Sequence, residues 1–197
     1  MSQDDTSAAP GVITSLLRAA EGGNREALDS LFTQVYEELR RLARRTLRGG
    51  SRTPTLSTTA LVHETFLKLS RGQSWSARDR GHFYATAARA MRFVLIDYAR
   101  RRGRAKRGPR QGPVSLEESQ VGRIGSPEEL LAVDQALVRL EAEDPELARI
   151  VSWRFFAGLS TEEIAELLEV SERTVKRHWR VARAFLYRQL TIPGTVS

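Results

Sequence analysis

The sequence predicts an all-α protein of two small helical domains joined by a flexible linker, and three observations carry that expectation. Apolar residues recur at steps of three and four along most of the 197 residues, and no run alternates apolar with polar residues as a half-buried strand would. Capping residues stand at the heads of several of these apolar stripes. Between about residues 103 and 126 the periodicity gives way to Gly, Pro, Arg and Ser, the composition of a linker. The domains are therefore expected at 11–103 and 127–190, with a linker at 104–126 and short tails at 1–10 and 191–197.

The elements follow in order. Residues 1–10, MSQDDTSAAP, are polar and acidic; they read as a loose tail, since a signal peptide needs an apolar core. Between 11 and 48, Val12, Ile13, Leu16 and Leu17 form one short helical stripe, and Leu28, Leu31, Phe32, Val35, Leu39 and Leu42 form another. The GGN at 22–24 interrupts them. After the loop GGSRTPTLS, a helix from about Thr58 to Ser70 packs through Leu61, Val62, Phe66, Leu67 and Leu69 and leaves His63, Glu64 and Lys68 outside. A polar loop with Trp75 leads into a long helix from His82 to about Arg102, whose packing side is Phe83, Ala87, Met91, Val94, Leu95 and Tyr98. Beyond the linker, Ser126, Pro127 and Glu129 have the order of a capping serine, a first-turn proline and a box glutamate. Asp144 and Pro145 repeat the device, so four helices are expected at about 127–142, 145–157, 161–168 and 172–188.

Residues 158–186, GLSTEEIAELLEVSERTVKRHWRVARAFL, say most about function. Ser160 and Glu163 have capping-box spacing, which starts a helix near Thr161 with Ile164, Ala165, Leu167 and Leu168 on one face. A polar turn at Glu169 passes a buried-looking Val170 to a second capping residue, Ser171. In the helix that follows, Val175, Trp179, Ala182 and Leu186 form a packing stripe, while Arg173, Lys176, Arg177, Arg180 and Arg183 fall mostly off it. A short helix, a tight turn and a basic second helix are the geometry of a helix-turn-helix. Arg173, Thr174, Lys176 and Arg177 occupy its first two turns, where side chains reach base edges; Arg180 and Arg183 lie where backbone contacts are expected. Trp179, on the stripe, reads as core.

Charge is distributed to match. The net charge is +7, and Lys plus Arg against Asp plus Glu number 9 against 1 in residues 89–112, 4 against 13 in 113–170 and 6 against 1 in 171–197. Two basic blocks flank an acidic one, which suits a chain that touches a polyanion at two places. The absence of cysteine excludes disulfides and thiolate metal sites, and the three histidines are scattered, so neither metal nor cofactor is expected. No apolar run approaches a membrane span, and a cytoplasmic protein is expected. No phosphate-cradling glycine loop, nucleophile elbow or clustered catalytic set appears, so no catalytic residues and no enzyme activity are expected.

Three segments together resemble the extracytoplasmic-function (ECF) sigma factors, the small two-domain class of bacterial RNA polymerase specificity subunits. ALVHETFLKL at 60–69 resembles their polymerase-docking helix, and HFYATAARAMRFVLIDYARRRGRAKR at 82–107 resembles their promoter-melting and minus-ten-reading helix. LSTEEIAELLEVSERTVKRHWRVARAFL resembles their minus-thirty-five reader. The resemblance implies core RNA polymerase as a partner, through a coiled coil of its largest subunit and its flap region, promoter DNA as a second, and in many members an anti-sigma factor. It implies docking through Leu61, His63, Glu64 and Lys68. The family often carries an aspartate where Ala60 stands and a glutamine where His63 stands. It further implies that Arg89, Arg92, Arg100, Arg101 and Arg102 hold the minus-ten strand, with Trp75, Arg78 and Arg80 of the preceding loop taking an unpaired base. Trp75 serves equally well as an apolar cap of that loop. Arg173, Thr174, Lys176, Arg177 and Arg180 then read the upstream element. With about nine residues after the last helix, no further sensing domain is expected. The alternative is a helix-turn-helix regulator that binds duplex DNA without polymerase and uses residues 11–102 to dimerise or sense.

Overall fold

Helix α1, Arg25–Leu47, buries Leu31, Val35, Leu39, Leu42 and Ala43 and is the first of three helices whose bounds lie among the described residues of the amino-terminal half. Helix α2, Thr58–Arg71, lies against it through Leu61, Val62 and Leu69, after Ser57 has accepted the first amide of the helix start from Ala60. Helix α3, Arg80–Ala105, packs on α2 and is the spine of the molecule. The carboxy-terminal half contributes α4, Pro127–Glu143, α5, Pro145–Phe155, α6, Thr161–Leu168, and α7, Glu172–Thr191. This computed structural model describes residues 15, 25–47, 56–71, 80–105 and 127–191, and no strand occurs among them. The chain is all-α.

Local chemistry sets these boundaries. Asp144 accepts from the amides of Glu146 and Leu147 at 3.0 Å each, with Pro145 at the first helical position, so α5 starts on a satisfied end. Ser160 and Glu163 form the full capping box that heads α6. Helix α6 spans the expected residues; α3 starts two residues earlier than the sequence suggested and runs to Ala105, α5 stops at Phe155, and α7 continues to Thr191. Of the 11–48 expectation, α1 is present, Ser15 is helical, and the 22–24 break lies outside the described residues, as does the capping serine at 126.

Helix α3 is buried more broadly than one stripe predicts. Besides Phe83, Ala87, Met91, Val94 and Leu95, it buries Tyr84, Ala88, Ile96 and Ala99, while Tyr98 is only partly covered. The cause is tertiary: α2 covers one side, and α4 and α5 cover another. Against expectation, Leu67 is 42% exposed and Val170 is 38% exposed. Leu67 falls on the outer side of α2, away from the face set by Leu61, Val62 and Leu69.

The two halves also meet where the loop before α6 crosses the end of α1. The Thr46 hydroxyl lies 2.9 Å from the Leu42 carbonyl and 3.0 Å from the Phe156 carbonyl, so its one proton is shared between its own helix and the other half. Gly158 follows with φ +63°, and a Cβ there would stand 2.8 Å from Arg45 Cβ and 3.2 Å from the Thr46 amide. Both the left-handed backbone and the close approach require glycine. Gly158→Ala is therefore expected to lower the unfolding free energy by about 1–3 kcal/mol, measured by urea denaturation followed by far-UV circular dichroism. An unchanged or raised midpoint would show that this loop does not rest on α1.

Candidate nucleic-acid and docking surfaces

The helix-turn-helix is assembled from satisfied termini. Helix α6 closes with Glu169 at φ 54°, the one positive φ on a non-glycine residue among those described, and Val170 donates to the Ala165 carbonyl at 3.0 Å while Glu169 donates to Glu166 at 3.3 Å. These two bonds are the Schellman pattern, which ends the helix and redirects the chain. Ser171 then caps α7, its hydroxyl accepting from the Thr174 amide at 3.2 Å. Small, buried Ala165 allows α6 and α7 to cross closely.

The packing stripe of α7 is as the periodicity implies: Val175, Trp179, Ala182 and Leu186 are all buried, against α4, α5 and α6. The Arg154 guanidinium stacks over the Trp179 ring at 4.9 Å and donates to the Thr161 hydroxyl at 2.5 Å, which joins α5, α6 and α7 under the recognition helix. On the opposite face Arg173, Arg177 and Arg180 are exposed, and no ion pair or hydrogen bond engages their side chains among the described residues. Their four- and three-residue spacing puts them on one face. Lys176, also exposed, is held 3.0 Å from Glu172, and the Thr174 hydroxyl sits 3.0 Å from that of Ser171. His178, left without a role by the sequence, lies 3.5 Å from Glu146 through Nδ1.

A second surface lies across α2 and α3. His63, Glu64 and Lys68 are exposed on one edge of α2, whereas Leu61, expected among them, is fully buried and belongs to the core. Sequence reasoning missed Phe93. It is 55% exposed, and the Lys68 ammonium sits 3.6 Å above its ring. Its signal was available: Phe93 falls out of phase with Met91, Val94 and Leu95, so a large aromatic was bound to face outward. Phe93 on α3 and Leu67 on α2 are both exposed apolar side chains.

The arginines expected on α3 have different surroundings. Arg89 and Arg100 are exposed along a cleft of about 650 Å³ between α3 and the α4–α5 pair, which Phe93, Val138 and Trp153 also line. Arg101 pairs with Asp97 on its own helix, and Arg102 donates to the Tyr98 hydroxyl at 3.0 Å. Arg92 is different: it is spent on Asp134 and Glu141 of α4. Arg80 is the first residue of α3, and Trp75 and Arg78 lie outside the described residues.

An exposed polar edge, an arginine-rich spine and a capped helix-turn-helix thus follow one another along one chain. A family model described as ECF sigma factor matches residues 10–192. The chain belongs to the ECF sigma factor family. It is 33% identical over 175 residues to the ECF RNA polymerase sigma factor SigM of Mycobacterium tuberculosis, in both strain H37Rv and strain Erdman, covering 89% of this chain and 83% of the relative. No solved structure matches it. Members of this family are transcription initiation factors, and this chain is accordingly an RNA polymerase sigma factor. No described helix of the factor is long and apolar enough to cross a membrane.

One titration bears on the helix-turn-helix. Burial works to raise the Glu163 carboxyl, but the Ser160 amide and the Arg41 and Arg45 guanidinium groups hold it below the usual carboxylate range. In the unfolded chain a glutamate titrates at about 4.3, so the stabilisation from Glu163 is complete above that value and is lost as pH falls through the lower folded one. The urea midpoint of the sigma factor should therefore drop below about pH 4, and Glu163→Gln should flatten that drop while lowering the neutral-pH midpoint. Parallel profiles for the two proteins would assign the acid sensitivity to other carboxylates.

Proposed function

We propose that this sigma factor docks on core RNA polymerase through the α2 edge and directs initiation by reading two promoter elements, the minus-thirty-five with α7 and the minus-ten with α3 and the loop before it. In that reading residues 11–103 and 127–190 act as separate domains across the 104–126 linker. The observation that carries it is the face of α7: Arg173, Arg177 and Arg180 are exposed and unpaired at the head of a helix whose other side is locked in the core. An arginine so placed can donate two parallel bonds to the O6 and N7 of guanine, the commonest specific contact in the major groove. Thr174 and Lys176 flank them.

His63, Glu64 and Lys68 supply the docking edge, and Leu67 and Phe93 supply apolar area. Charged rim residues set orientation and encounter rate, while the apolar side chains supply area removed from water. On α3, Arg89 and Arg100 with Arg101 and Arg102 form a track for phosphates, and Trp75, Arg78 and Arg80 take an unstacked base. Unstacking costs a few kcal/mol, within reach of a stacking platform and a basic groove, so strand capture needs no nucleotide hydrolysis. This route involves no cofactor and no covalent chemistry.

In vitro transcription with purified core polymerase is the direct test. Promoter-specific transcripts that depend on the added chain support the reading; nanomolar binding of an isolated duplex site, with no transcript from any genomic template, would instead support a regulator that works without polymerase. Arg177→Ala should relax selectivity at one upstream base pair by about 1–3 kcal/mol, whereas equal loss on all sequences would make Arg177 a phosphate contact. Glu64→Ala should weaken core binding by about 1 kcal/mol or less, as exposed charge pairs do, with duplex binding untouched.

A further inference from the structure

Arg154, in the last turn of α5, is a buried cation, 8% exposed. A basic residue is common in a last helical turn, where it normally sits in water beside the helix carbonyls. This one is enclosed instead. Its guanidinium lies 4.9 Å from the Trp179 ring and donates through Nη1 to the hydroxyl of Thr161, the equally buried first residue of α6, at 2.5 Å. A single side chain of α5 therefore meets both the head of α6 and the packing stripe of α7. The preceding residue of α7 is met by α5 as well, with His178 Nδ1 at 3.5 Å from Glu146 Oε1.

Burying a guanidinium is costly, and an apolar side chain of similar length would fill the same space with a smaller penalty. Stability therefore does not account for Arg154, whereas direction does. Val175, Ala182 and Leu186 hold α7 down by apolar burial, which prefers no particular angle. A guanidinium that is both hydrogen-bonded and stacked on a ring does prefer one. The angle matters on the opposite face, which carries Arg173, Arg177 and Arg180. The side-chain envelope of a helix lies about 5–6 Å from its axis, so a turn of about 20° displaces a side-chain tip by about 2 Å. A productive contact tolerates about 0.5 Å.

We propose that Arg154 is a positioning residue for upstream-element recognition. It fixes the rotation of α7 through Trp179 and the seating of α7 on α6 through Thr161, so that Arg173, Arg177 and Arg180 meet base edges in one phase. The inference rests on the proposed role of α7 as the reader of that element. Being buried, Arg154 acts from behind the recognition helix and makes no contact with DNA itself. Phosphate contacts made by long arginines follow charge and survive a small rotation, whereas paired donors aimed at a base edge do not. The signature of a lost Arg154 is thus poorer discrimination between sequences with general affinity for DNA retained.

The test uses the full chain with purified core polymerase. Transcription is measured from a genomic promoter that the wild type uses and from templates carrying each single base-pair change in its upstream element; urea midpoints are measured alongside. Arg154→Met keeps the length of the side chain and removes its fork. It should cut discrimination at the upstream element about tenfold, the scale of one base-pair contact, while holoenzyme affinity for a scrambled duplex holds. Arg154→Lys keeps the charge without the planar fork and should be defective in the same way. Ile150→Val, at a fully buried site on the same helix, should lower the urea midpoint and leave discrimination intact. Full discrimination in either Arg154 variant would overturn the proposal. Equal loss in Ile150→Val would overturn it too, since instability alone would then explain the effect. Arg177→Ala separates the two readings: if it leaves discrimination intact at every upstream base pair, α7 is not the reader; if it relaxes one base pair and Arg154→Met relaxes none, only the positioning role fails.

Discussion

A single chain of charged groups ties this molecule together, and it passes through Glu163. The Tyr84 hydroxyl donates to Glu38 at 2.6 Å, Glu38 receives both ends of the Arg41 guanidinium at 2.9 and 2.6 Å, and Arg41 continues to Glu163, which Arg45 also grips. Glu163 in turn accepts the Ser160 amide at 2.6 Å and completes the capping box of α6. The same carboxylate therefore starts the first helix of the helix-turn-helix and receives two arginines from α1. Because Glu38 is almost wholly buried, leaving it without Arg41 would strand a charge in the core at a cost of several kcal/mol. Burial by itself would lower the Arg41 pKa, but Glu38 and Glu163 hold it above its ordinary value, so the pairing is electrostatically committed from both sides.

How much of this the sequence disclosed depends on the range of the interaction. The capping box at Ser160 and Glu163, the Asp144 cap and the α7 stripe are relations between residues two to four apart, and each has a local signature that periodicity and propensity expose. The second role of Glu163 has none: Arg41 and Arg45 lie 122 and 118 residues away. The same holds for Arg92, which read as one more cation in a basic run and is instead paired 42 and 49 residues on. Helix α3 shows the limit from the apolar side. Its buried face is wider than one stripe because helices arrive from both directions, and Ala88, Ile96 and Ala99 carry no mark in the sequence that says so. Exposure of Phe93 was legible, since phase alone turns it outward; exposure of Val170 was not, because it follows from the left-handed turn at Glu169.

Charge segregation along the chain acquires a second meaning in the folded state. The acidic stretch between the two basic blocks supplies Asp134, Glu141 and Glu163, the three carboxylates that receive Arg92, Arg41 and Arg45. These carboxylates are engaged with α1 and α3, and on α7 no ion pair engages Arg173, Arg177 and Arg180 among the described residues, whereas Lys176 is paired with Glu172. Arg173, Arg177 and Arg180 are thus exposed, while Arg92 is held by α4.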